Sequence, residues 1–194
     1  RLNEQLTRMG ELCEVAIGKA TTALKEGSME QAQKVIEADE EIDQAETDIE
    51  RLCLKLLLQQ QPVARDLRQI SAALKMITDM ERIGDQTSDI AEIIISAKYE
   101  NVAQDIDLIG AMATGVSTMV RDSVVAYVEK DLELARKVMA SDDKIDAYFD
   151  EIRDKMIAYI KAEHGEQGNR IFDLIMVTKY LERIGDCLLY TSDA

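Results

Sequence analysis

The pentapeptide ERIGD occurs twice, at residues 81–85 and 182–186, and each copy closes a longer repeated passage. Moving the chain by 103 positions lays Met9 on Met112, Ala32 on Ala135, Lys34 on Lys137 and VIEADEEID (35–43) on VMASDDKID (138–146). The second ERIGD returns after 101 positions, so the second copy has lost two residues on the way. A chain that states one plan twice is expected to fold into two like units. The period is well beyond the roughly 20–50 residues of a solenoid repeat.

Each unit reads as three helices. Leu2, Leu6, Met9, Leu12, Ile17, Ala20 and Leu24 recur at helical spacing, and KEGS (25–28) breaks the run. Ser28 suits an N-cap, and Gln31 three residues on completes a capping box. Val35, Ile42, Ile49, Leu52 and Leu56 carry a second helix to about Gln60; from Ser28 to Gln59 it would run about 48 Å at 1.5 Å per residue. Pro62 suits the first turn of a third helix, which Leu67, Ile70, Leu74 and Ile77 lead on to about Lys98. In the second unit Asp131 takes the place of Ser28, and EHGEQGN (163–169) takes the place of the Pro62 turn. The composition agrees: one Pro, no Trp, and 46% apolar residues among which good helix formers dominate. The fold expected is all-α: two tandem three-helix bundles of long antiparallel helices, residues 1–100 and 101–194, joined near Tyr99 to Asp107. A single merged six-helix bundle is the alternative.

A formal charge of −15 opposes binding to nucleic acid or to anionic lipid. No apolar run approaches the roughly 18 residues of a membrane span, and no signal-peptide pattern opens the chain. Cys13, Cys53 and Cys187 are odd in number and scattered, which argues for a reducing compartment. Cys13 and Cys53 read as small core hydrophobes.

Along the third helix, positions 70, 74, 77, 81, 84, 88, 91 and 95 read Ile, Leu, Ile, Glu, Gly, Ser, Ala, Ile, an a/d seam with Glu81 inside it. Asp85 lies one turn on, and Gly, Ser and Ala beyond Glu81 let a partner helix come close. In the second unit 171, 175, 178, 182 and 185 read Ile, Ile, Thr, Glu, Gly, with Asp186 following Glu182 by four. Each second helix carries its own pair at the same spacing: Asp39 and Asp43 around Ile42, Asp142 and Asp146 around Ile145. Where second and third helices pack antiparallel, two acid pairs meet. Four carboxylates together repel unless a polyvalent cation joins them, and oxygen-only ligation favours Fe(III), Mn(II), Mg(II) or Ca(II). A salt-bridged or protonated acidic core stays open as the alternative. The single histidine, His164, falls in a turn, so the Glu with Glu-x-x-His pattern of dinuclear oxidases is absent. No nucleophile–His–acid set and no Gly-rich phosphate loop is present. Arg65 and Arg68, cations near a helix start in an acidic chain, are candidates for partner contact; local pairing with Asp66 is the plainer reading.

LLLQQQPVARDLRQISAALKMITDMERIGDQTSDIAE (56–92), VIEADEEID, VMASDDKIDAYFDEI and KYLERIGD together resemble the PhoU family of bacterial phosphate-transport accessory and signalling proteins. The resemblance spans nearly the whole chain. It implies a cytoplasmic, non-enzymatic regulator, often a homodimer, that restrains phosphate-starvation signalling between the ATPase of a phosphate ABC transporter and a membrane sensor histidine kinase. It also implies E/D-x-x-x-D motifs holding a multinuclear metal cluster, iron first, with manganese, magnesium, zinc or nickel as alternatives. Here those motifs fall on Asp39, Asp43, Glu81 and Asp85, and on Asp142, Asp146, Glu182 and Asp186. After the second ERIGD the family pattern continues with a His and an NIAE-like turn, where this chain has CLLYTSDA. The sixth helix is therefore expected to stop short.

Overall fold

The computed structural model describes residues 1–59, 63–97, 106–162 and 168–192. Six helices follow one another: α1 (Leu2–Glu26), α2 (Met29–Gln59), α3 (Ala64–Ala97), α4 (Ile106–Glu129), α5 (Leu132–Ala162) and α6 (Gly168–Ser192). Among the described residues there is no strand, and no helix is long and apolar enough to cross a membrane. Helices α1, α2 and α3 pack on one another as one three-helix bundle, and α4, α5 and α6 as a second. The two bundles meet along α1 against α4 and α3 against α6, and their buried side chains form one continuous core.

This arrangement gives the helices two kinds of apolar face. Among the described residues, helices α2 and α5 pack only on the helices of their own bundle, and a narrow stripe suffices: Val35, Ile42, Ile49 and Cys53 on α2, Val138, Ile145, Ile152 and Met156 on α5. Helix α3 packs against α1, α2 and α6, so its buried face is broad, taking in Ile70, Ala73, Met76, Ile77, Met80, Ile83, Gly84, Thr87, Ile90, Ala91 and Ile94. The expected seam is one margin of this face. Leu74, Glu81, Ser88 and Ile95 are only half-buried. A seam drawn for one partner cannot anticipate a helix with three.

The turns between first and second helices follow one recipe with different residues. Gly27 is left-handed at φ 62°, with Ser28 N–H donating to the Ala23 carbonyl at 3.0 Å. This is a Schellman-type stop. Ser28 Oγ then accepts the Gln31 N–H at 3.2 Å and caps α2. Because the Ser28 N–H is already taken by α1, the cap serves without the reciprocal half of the expected box. In the second bundle Asp131 N–H donates to Ala126 at 2.9 Å and Asp131 Oδ1 accepts the Leu134 N–H at 2.9 Å. The left-handed position there is held by Lys130, at φ 59°.

Helix α2 ends at Gln59 and α3 at Ala97, within a residue of expectation. Pro62, His164 and most of the Tyr99–Asp107 junction lie outside the described residues. Helix α6 runs on to Ser192 through the closing segment that departs from the family pattern, and Cys187 and Leu188 are buried there. Cys13 and Cys53 are fully buried, as expected of core hydrophobes.

Candidate functional site

Helices α2 and α3 run antiparallel. Ser88 Oγ donates to Asp39 Oδ2 at 3.0 Å, and further along Thr78 Oγ1 meets Glu46 Oε1 at 3.4 Å. The glycine of the first ERIGD explains how the helices approach so closely. A methyl group on Gly84 would collide with Asp39 Oδ1 and lie 3.2 Å from Ile42 Cδ1. The Asp39 carboxylate therefore rests on bare backbone, and its Oδ1 is buried with no hydrogen-bond partner.

The expected residues do come together as a half-open groove, where a dry seam was anticipated. Asp39 and Glu81 are half-buried, while Asp43 and Asp85 are exposed. Burial pushes the Glu81 carboxyl up to about 7, helped by Asp85, Glu46, Asp43 and Asp39 in that order. Asp39 is raised by burial and by Asp43, Asp85 and Asp89, against the opposing Ser88 hydroxyl. Glu46 is raised by burial and by Glu50, Asp43 and Asp85, with Thr78 opposing. The charges acting most strongly on all three are carboxylates. Asp89 is also raised by burial, and by Glu92 and Asp85, while Tyr180 and Arg183 of α6 oppose the shift. Arg82, next to Glu81 in sequence, turns away to Asp79 at 3.8 Å.

The second groove, between α5 and α6, repeats the plan with two changes. Asp142 is pushed up to about 6 by burial and then by Asp146, Asp186, Asp143 and Glu182. Its Oδ1 is also buried without a hydrogen-bond partner, 3.5 Å from where a Gly185 methyl would lie. Phe149 stands where the first groove has Glu46, and Lys179 where it has Thr78. The Lys179 ammonium pairs with Glu182 Oε2 at 2.5 Å and sits 5.2 Å from the Phe149 ring centre. Asp186 is raised by burial and by Glu182, with Lys179 pulling the other way. One acid has gone and one cation has arrived, so this groove is partly neutralised from within.

Glu46, Ser88 and Asp89 join the first groove although the acid-pair spacing did not single them out. The signal was present: Glu46 is seven residues after Asp39, and Asp89 four after Asp85. Buried Asp79 faces the α6 side instead, with Oδ2 unpartnered and its carboxyl raised by burial against Arg82 and Lys75. Among the described residues no three Asp, Glu, His or Cys side chains stand close enough, in their present rotamers, to hold a metal ion. The donor set is nonetheless suited to a hard cation: clustered carboxylates, an orphaned buried oxygen, and no cation among the charges acting on Asp39, Glu46 or Glu81.

The PhoU domain profile matches this chain twice, over residues 6–94 and 109–191, one match for each bundle. The chain belongs to the PhoU family. It is 37% identical over 180 residues to the phosphate-specific transport system accessory protein PhoU homolog of Aquifex aeolicus, covering 93% of this chain and 81% of that one. It is 36% identical over 186 residues to the homolog from Clostridium acetobutylicum, covering 95% and 84%. The crystal structure of PhoU from Pseudomonas aeruginosa superposes with a TM-score of 0.91 at 29% identity, covering 99% of this chain and 92% of that one. That of the phosphate transport system regulatory protein PhoU from Streptococcus pneumoniae gives 0.89 at 25%, covering 98% and 89%. The six-helix plan with its internal repeat is thus the PhoU fold.

Proposed function

We propose that this chain is a non-enzymatic regulator of phosphate uptake and phosphate-starvation signalling. In this reading it acts at the cytoplasmic face as a homodimeric adaptor between the ATPase of a phosphate ABC transporter and a sensor histidine kinase. Membership of the PhoU family and the names of its relatives support the phosphate-transport role. The adaptor is metal-loaded, with a multinuclear iron cluster first among the candidates. Asp39, Asp43, Glu81 and Asp85 would hold metal in the first groove, and Asp142, Asp146, Glu182 and Asp186 in the second.

The observation that carries the metal is the buried, unpartnered Asp39 Oδ1 in a groove where the charges acting on Asp39 and Glu81 are all carboxylates. Isolated carboxylates at such a place must take up a proton or a cation. The metal would supply positive charge that ties α2 to α3. The chain's own residues do the rest: Gly84 leaves room for the Asp39 carboxylate, Ser88 orients it, and Asp43 and Asp85 are exposed at its margin.

Elemental analysis of protein purified without chelator tests this reading. Stoichiometric iron or manganese that falls with Glu81→Ala and Asp39→Ala is the expected result; metal below about 0.2 per chain, unchanged by either variant, overturns it. The second reading is a metal-free scaffold in which Glu81 is held protonated, favoured by its raised carboxyl. It requires Glu81→Leu to raise the melting temperature and leave metal content untouched.

A further inference from the structure

A cavity of about 780 Å³ opens between the first turns of α3 and the α4–α5 turn, on another face of α3 from the acidic groove. Its polar lining is unlike the rest of this acidic chain. Arg65 and Arg68 from α3 and Lys130 from the turn border it, and among the described residues none of the three has an ion pair. The carboxylate present, Asp131, is committed to capping α5 through the Leu134 N–H at 2.9 Å. In a protein of formal charge −15, three cations against one carboxylate around a cavity form a locally positive site suited to an anion. Arginine forks suit phosphate or carboxylate oxygens.

Two further observations point into the same cavity. Ser123 is 5% exposed and its hydroxyl has no hydrogen-bond partner. Buried helical hydroxyls normally return to a carbonyl three or four residues back, as Thr87 and Thr178 do here. The first bundle has Ala20 at the position equivalent to Ser123. Lys130 is the other. It occupies a left-handed turn position, φ 59°, where the first bundle uses Gly27. A side chain there carries a backbone cost that the glycine of the first bundle avoids. The remaining lining is apolar, with Ala72, Ala126 and Leu132, beside Tyr127, whose hydroxyl donates to the Gln69 carbonyl at 2.7 Å.

We propose that this cavity binds an organic phosphate of nucleotide size. The phosphates lie against Arg65, Arg68 and Lys130, and the ring portion lies on the alanine and Tyr127 wall above the Ser123 hydroxyl. The volume is in the range of small-molecule sites, roughly 300–1,000 Å³, and far exceeds that of inorganic phosphate. Because α3 belongs to the first bundle and α4 and α5 to the second, the ligand bridges the two repeats.

Isothermal titration calorimetry with ADP, inorganic phosphate and adenosine tests the proposal, on chelator-treated full chain in sodium buffer so that the acidic grooves take no part. The expected result is one ADP per chain, with inorganic phosphate and adenosine each at least roughly tenfold weaker. Arg65→Ala with Arg68→Ala, both exposed and without an ion pair among the described residues, should weaken ADP by a further factor of roughly ten or more without change in circular dichroism. Lys130→Gly should weaken ADP while raising the melting temperature, which separates ligand loss from unfolding. No heat with ADP at millimolar concentration overturns the proposal. So does ADP binding indifferent to the double arginine variant, or inorganic phosphate binding as tightly as ADP.

Discussion

Gly84 lies directly beneath the carboxylate of Asp39, and no side chain larger than hydrogen fits between them. The equivalent pair in the second bundle, Gly185 and Asp142, is looser: a methyl on Gly185 would meet Asp142 Oδ1 and Ile145 Cγ2 at 3.5 Å, ordinary contact distances. The same residue in the same motif therefore answers to two different local pressures.

Alanine substitution separates them. Replacing a helical glycine by alanine gains about 1 kcal/mol of helix propensity. Gly185→Ala should keep most of that gain. Gly84→Ala must displace Asp39 and press Ile42 at 3.2–3.3 Å, an overpacking cost of about 1–3 kcal/mol. Denaturant unfolding should rank Gly185→Ala above the parent protein and Gly84→Ala level with or below it. Equal effects at the two sites would remove the close approach as the explanation of the first glycine.

The pH dependence of stability reports on Glu81. Below its ordinary value of 4.5 the carboxyl is protonated in folded and unfolded chains alike. Between 4.5 and about 7 the unfolded chain releases the proton while the folded chain keeps it. Stability is therefore lost as pH rises through this window, and the full penalty stands above about 7. With Glu81 partly solvated, the loss is on the order of 1 kcal/mol. In chelator-treated protein, Glu81→Gln should flatten the fall between pH 5 and 7 relative to the parent. A parent chain that gains stability across that window, relative to the variant, would contradict the raised carboxyl.

Lys130 carries its turn at a backbone cost. A left-handed conformation disfavours a side chain by about 1–2 kcal/mol, and glycine relieves it at some entropic cost in the unfolded chain. Lys130→Gly should raise the unfolding free energy by about 0.5–1 kcal/mol, whereas Gly27→Ala at the equivalent turn should lower it by a similar amount. Guanidinium melts of the two variants check both signs.

The internal repeat made the helix count, their order and the pairing of α2 with α3 legible, because apolar spacing and breaker residues are local signals. That acids of paired helices meet was legible for a second reason: Glu81 and Glu182 interrupt an apolar period, and the repeat shows the interruption twice. What the pattern could not show depends on neighbours. Helix α3 has three packing partners, so the expected seam became a margin and Glu81 a groove residue. Glu46 and Asp89 acquire their role from the helix opposite. Lys130 occupies a position whose usual mark is glycine, and nothing in its immediate sequence signals the left-handed turn.

The two acidic grooves should differ in their hold on metal, and Lys179 is the reason. Its ammonium already compensates Glu182, while the equivalent Thr78 brings no charge to Glu81. Phe149 further removes the acid that Glu46 adds to the first groove. A cation entering the second groove must therefore compete with Lys179, and one entering the first meets no ammonium on Asp39 or Glu81. Titration of metal-free protein with Mn(II) should show a tighter class of sites abolished by Asp39→Ala and a weaker class abolished by Asp142→Ala. Lys179→Thr should strengthen the weaker class by roughly tenfold, the effect of removing one adjacent unit charge in a half-solvated site. It should leave the tighter class unchanged, since Lys179 is not among the charges acting on Glu81 or Asp39. Equal affinities in the parent chain, or a Lys179→Thr variant that changes neither class, would show that the lysine does not govern the second groove.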